Sequence, residues 1–89
     1  MLFMNKNELI SIVKKKLNTN IKIENINVED KSFLHKNHSG NQLGKYHLKI
    51  TISSNELKMM NKIDSNKKIY KILNEEMKNF IHSLQILIN

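Results

Sequence analysis

Eighty-nine residues make one domain, spanning 1–89, and a chain this short buries only about 60–65 % of its unfolded surface, which argues against a deep private substrate pocket. No residue is Cys, which excludes disulfides and thiolate sites supplied by this chain alone. The net charge is +7 and every fixed cation is Lys, so the surface attracts phosphates in general but lacks the bidentate fork with which Arg reads bases.

The start, Met1-Leu2-Phe3-Met4-Asn5, turns polar too soon for a secretory signal. It could mimic an organelle presequence, but a first helix explains it better, and a cytoplasmic location is the expectation. Asn5 or Asn7 can cap that helix, and Asn5 with Glu8 resembles a capping box. Leu9, Ile12, Val13 and Leu17 recur at helical spacing, with Lys14, Lys15 and Lys16 as a wet, dipole-compatible end before Asn18-Thr19-Asn20 breaks the run. Ile21 and Ile23 alternate as a strand would. The phase slips at Ile26 and Val28, which predicts a bulge or an early strand end.

Residues 29–45 read as one polar loop, with Gly40 and Gly44 as turn formers. Tyr46 to Ser53 alternates cleanly, placing Leu48, Ile50 and Ile52 on one side and His47, Lys49 and Thr51 on the other, exposed one. A short helical turn is expected within 55–62, with Met59 and Met60 as core filler. Asp64 or Ser65 can cap the next helix, whose apolar stripe is Ile69, Ile72, Leu73, Met77 and Phe80, with Glu75 and Glu76 on a solvated face. Ile81 to Ile88 is the last strand, with Leu84, Ile86 and Ile88 alternating against Ser83 and Gln85. The order α-β-β-α-α-β is an α+β fold, helices over a three-stranded sheet, with a right-handed crossover into the last strand. No apolar run is long enough to span a membrane.

Three of the four His residues, His35, His38 and His47, fall in the loop or at its end, and His82 stands far away in Ile81-His82-Ser83-Leu84. Imidazole binds metals near neutral pH, so a His-rich loop plus one His at an element end is a half-built metal site. The plainer alternatives are solvated loop histidines and a buried, hydrogen-bonded His82 sharing parity with Leu84 and Ile86. Asp30, Ser32 and His35 do not form a hydrolytic relay, since no nucleophile elbow is present. Phe33 and Tyr46 flank the loop as anchors rather than base-stacking platforms.

These pieces resemble the BolA-like family over about residues 9–88. Asp30-x-Ser32-x-x-His35, a second His at His38, His47-Leu48 opening a strand, Ile69-Tyr70 on the long helix and Ile81-His82-Ser83-Leu84 all match its pattern in order. Leu57-Lys58-Met59 stands where the family has Phe-x-Gly, and Ser65-Asn66-Lys67 where it has Arg-His-Arg. The resemblance implies a topology similar to type II KH domains and a non-enzymatic protein, monomeric alone. It implies a heterodimer with a monothiol glutaredoxin that shares a [2Fe-2S] cluster in iron–sulfur trafficking, iron homeostasis or redox and stress regulation. The glutaredoxin contributes a Cys thiolate and a glutathione thiolate. This chain contributes His82 and a loop ligand, His35 first, with His38 and His47 next. The alternative implied is a nucleic-acid-binding transcription or stress regulator, contacting through Lys67 and Lys68 at the helix start. Neutral imidazoles in place of thiolates remove negative charge from one iron and raise its potential, as in Rieske centres.

Overall fold

The computed structural model describes residues 4–32 and 45–89. His35 and His38, with Phe33, Gly40 and Gly44, lie outside the described residues. Helix α1 runs Lys6–Asn20 and is capped by Asn5, whose Oδ1 accepts from the Glu8 N–H at 2.8 Å. The Glu8 carboxylate returns to the Asn5 side-chain amide, a variant of the capping box. The helix passes through Asn18-Thr19-Asn20 instead of breaking there. All three side chains bond back to the carbonyls four residues earlier, at 2.8–2.9 Å. The lysine run is therefore mid-helix, not at its dipole end. Leu9, Val13 and Leu17 are buried and Ile12 is half-buried.

Strand β1 is Asn25–Asp30. The segment 21–24, read as a strand from Ile21 and Ile23, is the link from α1, with Ile21 buried as the helix C-cap. The apparent phase slip is the strand's true beginning, and Ile26 and Val28 share its inner face, opposite Ile52 and Ile50. Strand β2 is Tyr46–Ser53, as the alternation predicts, and pairs antiparallel with β1. After it come α2 Asn55–Lys58, α3 Lys62–Ile72 and α4 Asn74–Asn79, then β3 Ile81–Ile88, which lies parallel to β2. The sheet order is β1-β2-β3.

Asn61, rather than Asp64 or Ser65, caps α3, with Oδ1 accepting from the Asp64 N–H at 2.8 Å. Ser65 is already inside the helix and buried. The expected single long helix divides at Leu73, whose backbone sits at φ −95°, ψ 18°. Its apolar stripe continues across the break, because Leu73 is buried and Met77 and Phe80 still pack on the core.

Ile50 and Ile52 of the sheet and Leu9, Val13, Leu17, Ile69 and Leu73 of the helices are all inaccessible. This is the α+β layer the patterns imply, with helices over one sheet face. Two surface expectations are reversed. Met59 is 89 % exposed rather than core filler, and only Met60 packs against the core. Glu76 is buried instead of solvated, its Oε2 held 2.6 Å from Lys16 Nζ, because three residues after Leu73 and seven after Ile69 it falls on the face of the apolar stripe and not beside it. Among the described residues no helix is long and apolar enough to cross a membrane.

Candidate functional site

Where β1 ends, the backbone is tied down by its own side chains. Asp30 Oδ1 accepts from the Ser32 N–H at 2.8 Å, an Asx-type turn, and Ser32 Oγ accepts from the His47 N–H at 3.1 Å. The Lys31 N–H donates to the His47 carbonyl at 2.6 Å. Asp30-x-Ser32 is therefore an anchor. It fixes the end of β1 against the start of β2. There the Tyr46 hydroxyl donates to the Met4 carbonyl at 2.8 Å and the Tyr46 N–H to the Phe80 carbonyl at 2.9 Å. Tyr46 is thus the anchor its position suggests.

The β2–β3 register shifts by one residue here: Tyr46 stands opposite Ile81, but His47 opposite Ser83. His82 is the extra residue. Beyond the shift Leu84, Ile86 and Ile88 face the helices beside Leu48, Ile50 and Ile52. The parity that aligns His82 with Leu84 and Ile86 in the sequence is therefore broken. His82 is exposed, not a buried structural His, and its ring meets His47, with centroids 4.8 Å apart at 64°.

His47, expected to be exposed, is only 7 % accessible. It does lie on the outer sheet face, but the His82 ring stacks against it edge-on, and Ser83 Oγ holds its Nδ1 at 2.6 Å. The contact engages Nδ1 and fixes the orientation of the His47 ring. Ser83 is a site residue that the sequence motif contains but alternation does not single out.

A groove of about 280 Å³ opens beside the pair, between Lys31, Lys49, Ser83 and Gln85. Its cationic rim suits an anionic group. Lys31 is engaged with Glu29 at 3.5 Å. Among the described residues no three His, Cys, Asp or Glu side chains gather as metal ligands. The described donor set is thus two imidazoles, of which His82 faces solvent. That fits half of a mixed-ligand site completed by another molecule. His35 is three residues beyond Ser32, a chain reach of about 10 Å from the His47–Ser32 bond.

At the helix start, Lys67 is exposed, whereas Lys68 Nζ lies 2.5 Å from Glu56. Lys68 and the Lys22 N–H, which donates to the same carboxylate at 3.0 Å, hold the Glu56 carboxyl below the usual glutamate range. Of the two sequence-predicted nucleic-acid residues, one is presented to solvent and one is partnered.

A family model described as BolA-like protein matches residues 17–89. A protein of Haemophilus influenzae named DNA-binding transcriptional regulator BolA is 29 % identical over 75 residues, covering 84 % of this chain and 70 % of its own length. The structure of the BolA domain of SufE1 from Arabidopsis thaliana superposes with a TM-score of 0.78 at 23 % identity, over 97 % of this chain and 93 % of that one. BolA1 from Arabidopsis thaliana superposes with a TM-score of 0.74 at 24 % identity, over 90 % and 88 %. Both structural likenesses concern the fold.

Proposed function

Because this chain belongs to the BolA-like protein family, we propose that it is a non-enzymatic partner of a monothiol glutaredoxin, sharing a [2Fe-2S] cluster in iron–sulfur trafficking or iron and redox regulation. His82 supplies one ligand and His35 the other. His47 acts as a positioning residue: tied to Ser83 and packed against the His82 ring, it limits the directions His82 can take. The observation that carries this reading is the exposure of His82 on the outer sheet face, brought about by the register shift. A ligand destined for a shared cluster has to face the partner, and an imidazole folded into the core would not. His35 is favoured over His47 because His47 is buried and its Nδ1 is engaged, and because His35 follows the anchored Asp30–Ser32 turn by only three residues in the sequence. A cluster held partly by neutral imidazoles has a higher potential than an all-thiolate one, and a ligand on a loop gives it a route of release.

The test is anaerobic reconstitution with a monothiol glutaredoxin, glutathione, iron and sulfide, read by visible absorption and circular dichroism. The expected result is a heterodimer spectrum distinct from that of glutaredoxin alone, abolished by His82→Ala and by His35→Ala, altered by His47→Ala and unchanged by His38→Ala. Loss in His47→Ala or His38→Ala with retention in His35→Ala would reassign the second ligand. A spectrum identical to glutaredoxin alone in the wild-type mixture would refute the shared cluster.

A second reading, nucleic-acid binding, is favoured by the net charge of +7, the exposed Lys67 and the name of the Haemophilus influenzae relative. It requires affinity that falls steeply with salt, with a slope reduced by about 1 in Lys67→Ala and indifferent to His82→Ala.

A further inference from the structure

The other end of β3 carries features that the histidine site does not use. β3 is an edge strand of eight residues with no charge and no proline. Edge strands of this kind are normally blunted by lysine, proline or a covering element. Alternation along the strand shows which backbone groups face outward. The Asn89 N–H donates to Ile52 of β2 at 2.8 Å, so odd-numbered residues point at β2. The Tyr70 hydroxyl reaches the Leu84 carbonyl at 3.0 Å from the opposite side, so even-numbered residues point away. The main-chain N–H and C=O groups of Ile86 and Ile88 therefore face outward, and no partner satisfies them among the described residues.

Alongside this edge runs a groove of about 380 Å³ between β3, α2 and the start of α3. Leu57, Met60, Ile86 and Ile88 form its apolar lining, and Lys58 and Lys62 stand at its rim. A second, shallower depression continues from Lys62 past Ile63 and Lys67 to Tyr70. Ile63 is 69 % exposed, and no acidic residue lines either cavity. Lys58, Lys62 and Lys67 have no ion-pair partner among the described residues.

We propose that this groove and the outer edge of β3 form a docking site for an extended, acidic segment of a partner protein, bound by addition of a strand to β3. The backbone of such a segment satisfies Ile86 and Ile88. Its alternate apolar side chains enter the groove, and its carboxylates meet Lys58, Lys62 and Lys67. A second copy of this chain is disfavoured because it brings the same lysines and a charge of +7 against its own kind. Nucleic acid is disfavoured because the lining is aliphatic and Tyr70, its one aromatic ring, has its hydroxyl tied to Leu84. The site is distinct from His82, which lies four residues, about 13 Å, before Ile86 on the same strand.

The probe is a fluorescein-labelled octapeptide of four Val-Asp repeats, titrated into the full chain by anisotropy, with amide exchange followed by NMR. Saturable binding is expected, with exchange at the Ile86 and Ile88 amides slowed at least tenfold. Lys58→Glu/Lys62→Glu, checked for folding by circular dichroism, should weaken binding at least tenfold. An octapeptide N-methylated at alternate residues should not bind, whereas His82→Ala should bind normally. The proposal is overturned by absence of saturable binding, or by binding that leaves Ile86 and Ile88 exchange unchanged. It is also overturned if a single-stranded oligonucleotide protects those amides better than the peptide, or if protein concentration alone protects them through a dimer.

Discussion

Lys16→Met should unfold this domain more easily, although it removes a half-exposed lysine. Glu76 is 4 % accessible, and its Oε2 lies 2.6 Å from Lys16 Nζ, while Oε1 is buried with no hydrogen-bond partner among the described residues. At 2.6 Å the attraction is ~1.6 kcal/mol at the dielectric constant of water and ~6 kcal/mol at an effective constant of about 20. Solvent at the lysine end, where the side chain is 35 % exposed, pulls the value toward the lower figure. Removing the lysine strands a buried carboxylate, so the loss is set by the glutamate's desolvation and comes to about 2 kcal/mol. For a domain of this size that lowers Tm by about 8–16 °C, measured by circular dichroism at pH 7. The double variant Lys16→Met/Glu76→Leu removes the stranded charge and should return to within about 1 kcal/mol of wild type. The hydrogen bond to Glu76, and behind it the charges of Glu76 and Glu75, raise the Lys16 pKa above the ordinary lysine range. A raised folded-state pKa means that the contribution is complete below the unfolded value and is lost as pH rises through the folded one. Wild type and Lys16→Met should therefore converge in strong alkali. A Tm change below about 3 °C at pH 7, or a Glu76→Leu variant less stable than Lys16→Met, would refute the reasoning.

Further outcomes follow from individual contacts. Ile50→Ala, at a fully buried sheet position, should cost about 3–4 kcal/mol in urea denaturation. Asn5→Ala removes the α1 cap and should cost about 1 kcal/mol, with Asn5→Asp close to wild type. Ser32→Ala deprives the His47 N–H of its acceptor and should cost about 1 kcal/mol, with faster exchange of the His47 amide as its specific mark. The Glu56 carboxyl is held low by Lys68 and the Lys22 N–H, so its contribution is present above the unfolded pKa and lost as pH falls through the folded one. Acid titration of stability should be shallower in Glu56→Gln over the range below ordinary glutamate values.

The strands that face one core and one solvent were legible almost to the residue. Tyr46–Ser53 and Ile81–Ile88 end where their alternation ends, because a half-buried strand writes a period of two into its sequence. Asn5 was legible because capping is local chemistry. The misreadings arise where tertiary contact overrides a local pattern. Ile21 and Ile23 alternate by accident of a linker that packs one of them into the core. Asn18, Thr19 and Asn20 look like a stop, yet they extend the helix by bonding back to it. Nothing in the stripe Ile69 to Phe80 marks the turn at Leu73, whereas Glu76, seven residues after Ile69, lies on the face of that stripe, and its burial was open to reading from the helical period. The histidine site was half legible. The motif residues were visible, but the meeting of His47 with His82 depends on a register shift between strands 36 positions apart in sequence. Single-strand periodicity carries no record of such a shift.

That shift also makes the protein's chemistry separable from its architecture. On either side of His82 the strand obeys the ordinary demands of the core, with Ile81 buried under the helices and Leu84, Ile86 and Ile88 packed against them. His82 is supernumerary to the ladder. Excising it would leave Ile81 and Ser83 adjacent and in register with Tyr46 and His47. The deletion would yield a more regular sheet that has lost its exposed imidazole. Proteins usually alter a ligand by exchanging one side chain for another. Here one codon more or less separates a sheet that presents this imidazole to solvent from one that does not, so scaffold and imidazole can be inherited apart.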